Sequence, residues 1–183
     1  MISLIVAIDK NRGIGYKNKL LWTNKEDMKI FRDVTFAKNI VMGSNTYLSI
    51  GKILPFRTNY IVSNNEDIRK ELKNEIGAFC ISHKEIKNLI EKFKNSKEEL
   101  VVIGGERIYN EFLEYVDEFH MTYINKKFYK IDRYFPEIDL TDFEVKQVID
   151  NKEFIYKYYK RKWLNGLKFT SYSIIYYISE YKI

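Results

Sequence analysis

One acidic residue, Asp27, lies where a carboxylate could do chemistry. In a helix, positions 27, 30, 31 and 34 share one face, so this carboxylate lies on an apolar arc with Ile30, Phe31 and Val34. An anion in such surroundings needs a cationic or hydrogen-bonding partner, and burial raises its pKa. A carboxyl group with a raised pKa is a candidate functional acid. The alternative is an ordinary first-turn acid, which the helix dipole favours.

Two glycine-containing junctions between a predicted strand and a predicted helix are candidate phosphate sites. Gly104 and Gly105 follow the apolar residues 100–103, and Gly43 follows residues 39–42. Glycine lets a backbone approach a phosphate, and a helix N-terminus offers free N–H groups. Plain turn chemistry explains a Gly-Gly pair equally well, and the chain contains neither a G-x-G-x-x-G fingerprint nor a P-loop. Together, the two junctions suggest an extended ligand with two phosphates.

The histidines and the single cysteine form no recognisable site. His83 and His120 have no acid or cysteine at the spacing of a metal site or a catalytic triad, and Cys80 lies in a strand-like segment without an adjacent base. We therefore predict no metal site and a buried structural thiol. One cysteine cannot form an intramolecular disulfide, which is consistent with a reducing cytoplasm.

The length and composition predict one soluble globular domain. The chain has 183 residues, of which 45% are hydrophobic and 31% charged, with 8 Gly and 2 Pro. This composition excludes disordered and collagen-like classes. No stretch approaches 18 apolar residues, so we predict no membrane span and interpret residues 2–8 as a buried strand. The net charge of +6 favours encounters with anionic ligands without choosing among them.

Strand-like and helical patterns alternate through the first two thirds of the chain. The predicted strands are residues 2–8, 39–42, 58–62, 78–81 and 100–103, and the predicted helices are residues 26–36, 45–50, 66–74, 83–94 and 107–115. Ser82 and Glu85 form a capping-box pattern before the fourth helix. This alternation predicts an α/β fold with a mainly parallel central sheet flanked by helices and ligands at the carboxyl ends of its strands.

The last third predicts antiparallel strands that finish the sheet. Residues 118–124, 143–149, 154–164 and 167–178 have strand patterns, and Asn165-Gly166 is a two-residue hairpin signal. We therefore predict an extended C-terminal antiparallel hairpin region, residues 143–183, within a single domain of residues 1–183. Residues 156–163 interleave cations with aromatic rings, as surfaces that bind single-stranded nucleic acid do. The favoured alternative is a hairpin with one face packed against the protein and the other exposed to solvent.

The order of short motifs resembles the dihydrofolate reductase family. The resemblance covers residues 1–136 and includes Ile2 to Ala7, Asn11 to Gly15, Trp22, Asp27, Phe31, Ile40 to Gly43, Thr46, Ser49 to Gly51, Leu54-Pro55, Arg57, Val62-Ser63, Val102 to Gly105, Ile108-Tyr109, Thr122, Asp132 and Phe135-Pro136. So many motifs in register are far more specific than any one of them. Beyond residue 136 only the terminal hairpin pattern agrees, and the region is longer here than in compact bacterial members.

The resemblance implies a reductase that transfers hydride from NADPH to C6 of 7,8-dihydrofolate while N5 takes a proton. It implies that Asp27 hydrogen-bonds the pterin and that Trp22 and Thr122 support it, with Tyr109 also among the catalytic residues. Arg57 would clamp the glutamate α-carboxylate of the substrate. The remaining substrate-binding positions implied by the resemblance are Ile5, Ala7, Phe31, Ile50, Leu54 and Ile103.

The resemblance also implies the cofactor site. Residues 9–19 correspond to a mobile loop that closes over the active site and excludes water, with Leu20 just behind it. Thr46, Gly104 and Gly105 would hold the pyrophosphate, and Ser63, Asn64 and Arg107 lie at the adenosine end. The other implied cofactor-binding residues are Ala7, Gly13, Ile14, Gly15, Gly43, Ser44, Asn45, Glu106, Ile108 and Tyr109.

Four positions depart from the usual family pattern. Leu21 stands in place of a proline, Phe56 in place of a glycine beside Arg57, and Ile131 near a customary glycine of a loop. Ser44 replaces a basic residue expected at the 2′-phosphate of NADPH. The first three departures affect loop conformation, and the fourth affects the preference for NADPH.

Two other functions compete with this interpretation. A related NADPH-dependent pyrimidine reductase of riboflavin synthesis shares the sheet, but its substrate offers neither a pterin for Asp27 nor a glutamate carboxylate for Arg57. A single-stranded nucleic-acid-binding module would use the basic aromatic segment and would lose affinity steeply with salt. We expect a cytoplasmic monomer acting on a small-molecule substrate, with no nucleic acid and no membrane as a partner.

Overall fold

The structure, a computed structural model, describes residues 1–164 and 167–168. The strands are β1 (Ile2–Ile8), β2 (Gly13–Tyr16), β3 (Lys19–Leu20), β4 (Asn39–Gly43), β5 (Thr58–Val62), β6 (Ala78–Ile81), β7 (Leu100–Gly104), β8 (Glu118–Ile124), β9 (Arg133–Tyr134), β10 (Phe143–Asp150), β11 (Phe154–Arg161), β12 (Trp163–Leu164) and β13 (Leu167–Lys168). The α-helices are α1 (Lys25–Thr35), α2 (Ser44–Ile50), α3 (Glu66–Leu72), α4 (Ile86–Lys94) and α5 (Glu106–Phe112). One 3₁₀ turn, His83–Glu85, precedes α4, and another, Leu113–Tyr115, follows α5.

The main sheet has the strand order β10-β11-β8-β1-β7-β4-β5-β6. The six strands from β8 to β6 run parallel, whereas β11 and β10 are antiparallel to their neighbours. The predicted mainly parallel sheet with a C-terminal antiparallel strand pair is therefore confirmed. The expectation that the antiparallel part begins at residues 118–124 is wrong, because β8 runs parallel to β1. The crossover through α5 returns the chain to the sheet in the parallel direction.

Two apolar clusters cover the two faces of the sheet. One contains residues of α4 and α5, such as Phe93 and Phe112, both fully buried. The other contains residues of α2 and α3, with Phe31 and Val34 of α1 packed against it. Consecutive residues of one strand, such as Val102 and Ile103, belong to different clusters, as the period of two in a strand requires. Each fully buried large side chain contributes about 1.5–3 kcal/mol to folding.

Local sequence signals position α1, the helix that carries Asp27. The side chain of Asn24 accepts hydrogen bonds from the backbone N–H groups of Glu26 (2.8 Å) and Asp27 (3.3 Å), so it is the N-cap. The helix ends at Thr35, whose hydroxyl donates to the carbonyl of Phe31 (2.7 Å). Asp27 therefore lies in the first turn. The capping box predicted at Ser82 and Glu85 is also present.

The strand pair β10–β11 encloses a turn at residues 151–153, upstream of the predicted hairpin signal. Asn165-Gly166 and the predicted strand beyond residue 168 lie outside the described residues. The flanking strands β12 and β13 do pair antiparallel, with Leu164 opposite Leu167. In the basic aromatic segment, the rings of Tyr156 and Tyr159 are buried. The described part of this segment therefore matches the packed-hairpin alternative.

The loop predicted at residues 9–19 contains regular structure that the sequence did not reveal. Strands β3, β2 and β9 form a small sheet in that order. Lys17 (φ 48°) and Asn18 (φ 58°) join β2 to β3, and both have the positive φ that a two-residue hairpin of this type requires. The pair Lys-Asn lacks the glycine that usually marks such a turn. Among the described residues no helix is long and apolar enough to cross a membrane.

Candidate active site

Asp27 meets a hydrogen-bond donor from the neighbouring sheet. The Thr122 hydroxyl donates to Oδ1 of Asp27 at 2.6 Å. Thr122 lies on β8 beside Ala7 of β1, so the pair is at the carboxyl-terminal part of two adjacent strands. Burial raises the pKa of Asp27, and the hydrogen bond from Thr122 opposes part of that rise. The geometry agrees with the predicted acid on an apolar helix face.

A small cavity of about 30 Å³ opens beside this carboxylate, large enough to hold a water molecule. Its lining residues are mostly apolar: Ala7, Ile14, Leu20, Leu21, Trp22, Asp27, Met28 and Ile124. Trp22 makes an edge-to-face contact with Phe154 at 5.7 Å and faces the same cavity as Asp27. The predicted loop residues Ile14 and Leu20 are thus brought against the acid.

The predicted apolar contacts of the substrate lie in one cluster. Ile5 and Ile103 are buried there. Phe31 of α1, Ile50 of α2 and Leu54 of the following loop pack against the same cluster. Two helices and the sheet therefore bring these five apolar side chains together on the side of α1 that carries Asp27, and we call this set of residues the apolar groove.

Arg57 lies beyond this groove and has no acidic partner among the described residues. Its Nε donates to the Thr35 hydroxyl (3.0 Å) and its Nη1 to the Pro55 carbonyl (2.6 Å). Burial lowers the pKa of Arg57, and the nearby charge of Arg32 lowers it further. The two protons on Nη2 have no hydrogen-bond partner in the part of the chain that the structure describes, so they can bind an anion. A guanidinium fixed by neutral oxygens is suited to binding a carboxylate in a bidentate fashion.

Asn59 is a positioning residue that the sequence analysis missed. This fully buried side chain accepts from the N–H of Leu54 (2.9 Å) and donates to the carbonyls of Leu54 (2.9 Å) and Arg57 (3.1 Å). It therefore fixes the loop that carries both predicted substrate contacts. An asparagine inside the apolar run of β5 was the available signal, because a buried amide must be hydrogen-bonded.

The two glycine junctions meet at the same edge of the sheet. β4 and β7 are neighbours, with Met42 opposite Gly104. A Cβ atom on Gly105 would lie 3.2 Å from the Thr46 hydroxyl oxygen, and one on Gly43 would lie 3.1 Å from Ile108. Gly104 has a φ of 109°, a conformation that favours glycine. A side chain at Gly43 or Gly105 would therefore crowd Ile108 or Thr46, so the close packing of α2 and α5 on these two strand ends favours glycine at both junctions.

Tyr109 connects the glycine pair to the first strand. Its hydroxyl donates to the carbonyl of Ile5 at 2.9 Å, and its ring lies 2.9 Å from the position that a Cβ of Gly104 would occupy. Burial raises the pKa of Tyr109, so the hydroxyl remains a donor. This bond holds the edge of the substrate groove next to the β7–α5 junction.

The predicted adenosine end is less compact. Ser63 is buried at the end of β5 and accepts from the N–H of Asn65 (3.1 Å), whereas Asn64 is exposed. Arg107 is exposed, and its Nε pairs with Oε1 of Glu111 at 2.8 Å. Of the other predicted cofactor residues, Asn45 is exposed while Ser44 and Glu106 are half-buried. Arg107 would have to leave or share Glu111 to bind a phosphate.

Asp132, directly before β9, holds the strands and the turn of the small sheet together. Asp132 accepts from the N–H of Lys17 (3.0 Å), and its own N–H donates to the carbonyl of Gly15 (3.1 Å). Gly13 is enclosed, because a Cβ there would lie 2.6 Å from Ile131 and 3.0 Å from Leu21. Two of the departures from the family pattern, Leu21 and Ile131, thus pack around Gly13.

The buried Asp9 was not singled out from the sequence. Its Oδ1 accepts from the N–H groups of Asn11 (2.8 Å) and Gly13 (2.7 Å), and its Oδ2 accepts from the N–H of Phe128 (3.0 Å). Asp9 therefore joins the active-site loop to the loop that follows β8.

We expect Asp9→Asn to weaken this junction, because both carboxylate oxygens of Asp9 accept from backbone N–H groups. The amide nitrogen of asparagine cannot accept a hydrogen bond, so at least one of these N–H groups would lose its acceptor. Leaving a buried donor unsatisfied costs about 1–3 kcal/mol. The free energy of unfolding, measured with urea, should fall by that amount. Asp33→Asn, at an exposed position of α1, is the control and should be neutral. An unchanged stability in Asp9→Asn would contradict the proposed junction.

His120 gives a second test of the fold beneath the site. Its ring stacks on Tyr158 (4.7 Å), its Nδ1 lies 2.7 Å from the Tyr156 hydroxyl, and burial lowers its pKa to about 4. Below pH 6.5 His120 binds a proton in the unfolded chain but not in the folded protein. The free energy of unfolding therefore falls as the pH decreases toward 4. The loss should reach at most about 3 kcal/mol. In His120→Gln the urea midpoint should depend less on pH in this range, and an identical slope would contradict the prediction.

Comparison with known proteins agrees with this geometry. The family model described as Dihydrofolate reductase matches residues 1–163. The chain belongs to the dihydrofolate reductase family. A dihydrofolate reductase of Buchnera aphidicola is 43% identical over 140 residues, which cover 76% of this chain and 81% of the relative. One from Bacillus subtilis is 35% identical over 145 residues, covering 79% and 81% respectively.

A solved structure is also similar to this dihydrofolate reductase family member. It is described as dihydrofolate reductase from Enterococcus faecalis, complexed with NADP(H) and RAB-propyl. The TM-score is 0.74 and the identity 26%, with 88% of this chain and 96% of that chain covered. The fold and the enzyme class predicted from the sequence are confirmed.

Proposed function

We propose that this protein reduces 7,8-dihydrofolate to 5,6,7,8-tetrahydrofolate with NADPH, and that Asp27 is the catalytic carboxylate that binds the pterin and favours its protonated form. Membership of the family supports the reaction. The observation that carries the residue assignment is the Asp27 carboxylate, bonded to Thr122 and bordered by apolar side chains. Such surroundings favour a ligand that presents both an apolar ring and hydrogen-bond donors.

Asp27 binds and polarises the pterin in this proposal. Thr122 occupies Oδ1, which leaves Oδ2 free of the described residues and able to accept from the amino group and ring nitrogen of the pterin. A negative carboxylate stabilises the protonated pterin, and protonation at N5 is what the transfer of hydride to C6 requires. Trp22 and Ile14 limit the water that reaches this side of the ring.

The rest of the substrate follows the apolar groove to Arg57. Phe31, Ile50 and Leu54 would pack on the pterin and benzoyl rings. The free Nη2 of Arg57 would bind the α-carboxylate of the glutamate, while Asn59 holds the loop in place. Binding at both ends orients the reacting carbon, which is a major source of rate enhancement.

The cofactor residues lie along the edge where β4 and β7 meet. NADPH supplies the hydride when bound. Gly43, Thr46, Gly104 and Gly105 would hold its pyrophosphate, and Ser63, Asn64 and Arg107 its adenosine end. The backbone of Gly13, Ile14 and Gly15 would cover the nicotinamide, with Ala7 and Tyr109 beneath it. Asp132 fixes the position of this covering loop through Lys17 and Gly15.

Absorbance loss at the NADPH band tests the proposed reaction. The loss should require enzyme, NADPH and dihydrofolate together. A ribosylamino-pyrimidine phosphate, whose ribosyl group the riboflavin-synthesis reductase reduces to a ribityl chain, should cause no loss. Turnover of that pyrimidine in place of dihydrofolate would reverse the assignment.

We predict a reduced preference for NADPH over NADH, because Ser44 supplies no cation and Glu111 already pairs with Arg107. One arginine contact to phosphate contributes about 1.5–3 kcal/mol, or about 10- to 150-fold in kcat/KM. Ser44→Arg should therefore raise the NADPH to NADH ratio of kcat/KM, and Arg107→Ala should lower it. Added salt should shrink the wild-type ratio. An Arg107→Ala enzyme with the wild-type ratio would refute the assignment of Arg107.

The proposal includes a single domain over residues 1–183, acting as a monomer in the cytoplasm without nucleic acid. Asp27, Thr122, Arg57 and the glycine junctions all come from one chain, so the described site needs no second copy. The burial of Tyr156 and Tyr159 in β11 supports the absence of nucleic acid as a partner, because these two rings cannot stack on bases. Sedimentation at micromolar concentration should give the mass of one chain.

A further inference from the structure

Two exposed aromatic rings lie at the outer end of the groove, next to Arg57. Phe36 is 52% exposed and Phe56 is 77% exposed, and their ring centroids are 5.9 Å apart. The guanidinium carbon of Arg57 lies 6.0 Å from the centre of the Phe36 ring. We call Phe36 and Phe56 the aromatic wall. Large rings gather at a protein surface where they meet something apolar.

The backbone holds this wall at an energetic cost. Phe56 has a φ of 59°, in the left-handed region that a bulky side chain avoids and a glycine adopts freely. Ala37, which follows the other ring, has a φ of 56° and donates its N–H to the carbonyl of Phe56 at 3.0 Å. That bond ties the two turns together and keeps the rings adjacent. Strain retained at an exposed position points to a contact made outside the folded chain.

We propose that the aromatic wall binds the glutamate part of dihydrofolate and thereby determines specificity for the tail of the substrate. This inference rests on the proposed function. Arg57 has no acidic partner among the described residues, so a ligand carboxylate on its free Nη2 would bring the adjoining methylene groups beside Phe36. The rings would exclude water from this ion pair, which strengthens it.

Three substrates distinguish the contributions that the parts of dihydrofolate make to binding. Dihydrofolate carries the pterin, benzoyl and glutamate groups, dihydropteroate lacks the glutamate, and 6-methyl-7,8-dihydropterin lacks the whole tail. Phe36→Ala and Phe56→Gly should each raise KM for dihydrofolate about 3- to 10-fold, the range expected when one aromatic contact is lost. kcat should change little, because Arg57 still binds the glutamate of the bound substrate in both variants. KM for the two shorter substrates should change less than about twofold.

Phe79→Ala is the matched control, since Phe79 is also 52% exposed but stacks on Tyr60 at the far edge of the sheet. It should leave all three KM values unchanged.

In an Arg57→Ala background, Phe56→Gly should no longer alter KM for dihydrofolate, because the glutamate tail is no longer held beside the aromatic wall. Phe56→Gly should also raise the thermal midpoint, since glycine relieves the positive φ.

Several outcomes would overturn the proposal. The first is an unchanged KM for dihydrofolate in the Phe36 and Phe56 variants, as expected if the rings bind a protein partner instead. The second is an equal rise in KM for dihydropteroate. The third is an undiminished effect of Phe56→Gly on KM for dihydrofolate in the Arg57→Ala background. A lower thermal midpoint in Phe56→Gly would contradict the inference that the positive φ of Phe56 strains the backbone. A wild-type enzyme that reduces none of the three substrates would refute the proposed function itself, which is a different result.

Discussion

Asp27→Asn should fold normally and lose most of its turnover of dihydrofolate at neutral pH, by about 10²- to 10⁴-fold. The amide has nearly the shape of the carboxylate and can still accept from the Thr122 hydroxyl. It carries no charge to stabilise a protonated pterin, so the loss falls on the chemical step. Steady-state kinetics at saturating NADPH, with circular dichroism as a check on folding, measures it.

Asp33→Asn is the control for this substitution, because Asp33 is exposed on the same helix and faces solvent. It should retain wild-type kcat and KM. If Asp27→Asn kept wild-type turnover from pH 5 to 9, Asp27 would be a first-turn acid without a catalytic role. The assignment of the site would then fail, although membership of the family would stand.

Arg57→Ala should raise KM for dihydrofolate by one to two orders of magnitude. A hydrogen bond between a guanidinium and a carboxylate contributes about 1.5–3 kcal/mol, and its partner here is the glutamate tail. A dihydropterin without glutamate should have nearly the same KM in both enzymes. Initial rates with the two substrates, at the same NADPH concentration, give the comparison.

The structure also gives Arg57 a part in the fold, which the experiment must separate. Its Nε bonds Thr35 at the end of α1, so the variant loses a hydrogen bond of about 0.5–1.5 kcal/mol. The thermal midpoint records that loss. Equal increases in KM for both substrates would mean that Arg57 only supports the loop and does not bind the tail.

The helix face of Asp27 was visible in the sequence because its cause is local. The spacing of Ile30, Phe31 and Val34 follows from the period of a helix, and Asn24 caps that helix two residues before Glu26. Strand bounds for β1, β5 and β6 agree with the apolar runs for the same reason. These features depend on neighbours along the chain.

Long-range partners could not be derived from such patterns. Thr122 is 95 residues from Asp27, and Phe128 is 119 residues from Asp9. Thr122 was named only through the resemblance to the family, and the roles of Asp9 and Asn59 were missed. The parallel direction of β8 depends on how α5 packs, which the strand pattern itself does not encode. Pairing between distant residues is set by tertiary packing.

Transfer of deuterium tests the assigned reaction most directly. NADPH carrying deuterium at both C4 positions is mixed with the enzyme and dihydrofolate, and the product is analysed by mass spectrometry. Tetrahydrofolate should contain one deuterium, at C6, for each NADPH oxidised, because the hydride passes directly between the two bound rings. Oxidation of the labelled NADPH that leaves the folate unreduced, or reduced without deuterium, would contradict the assignment.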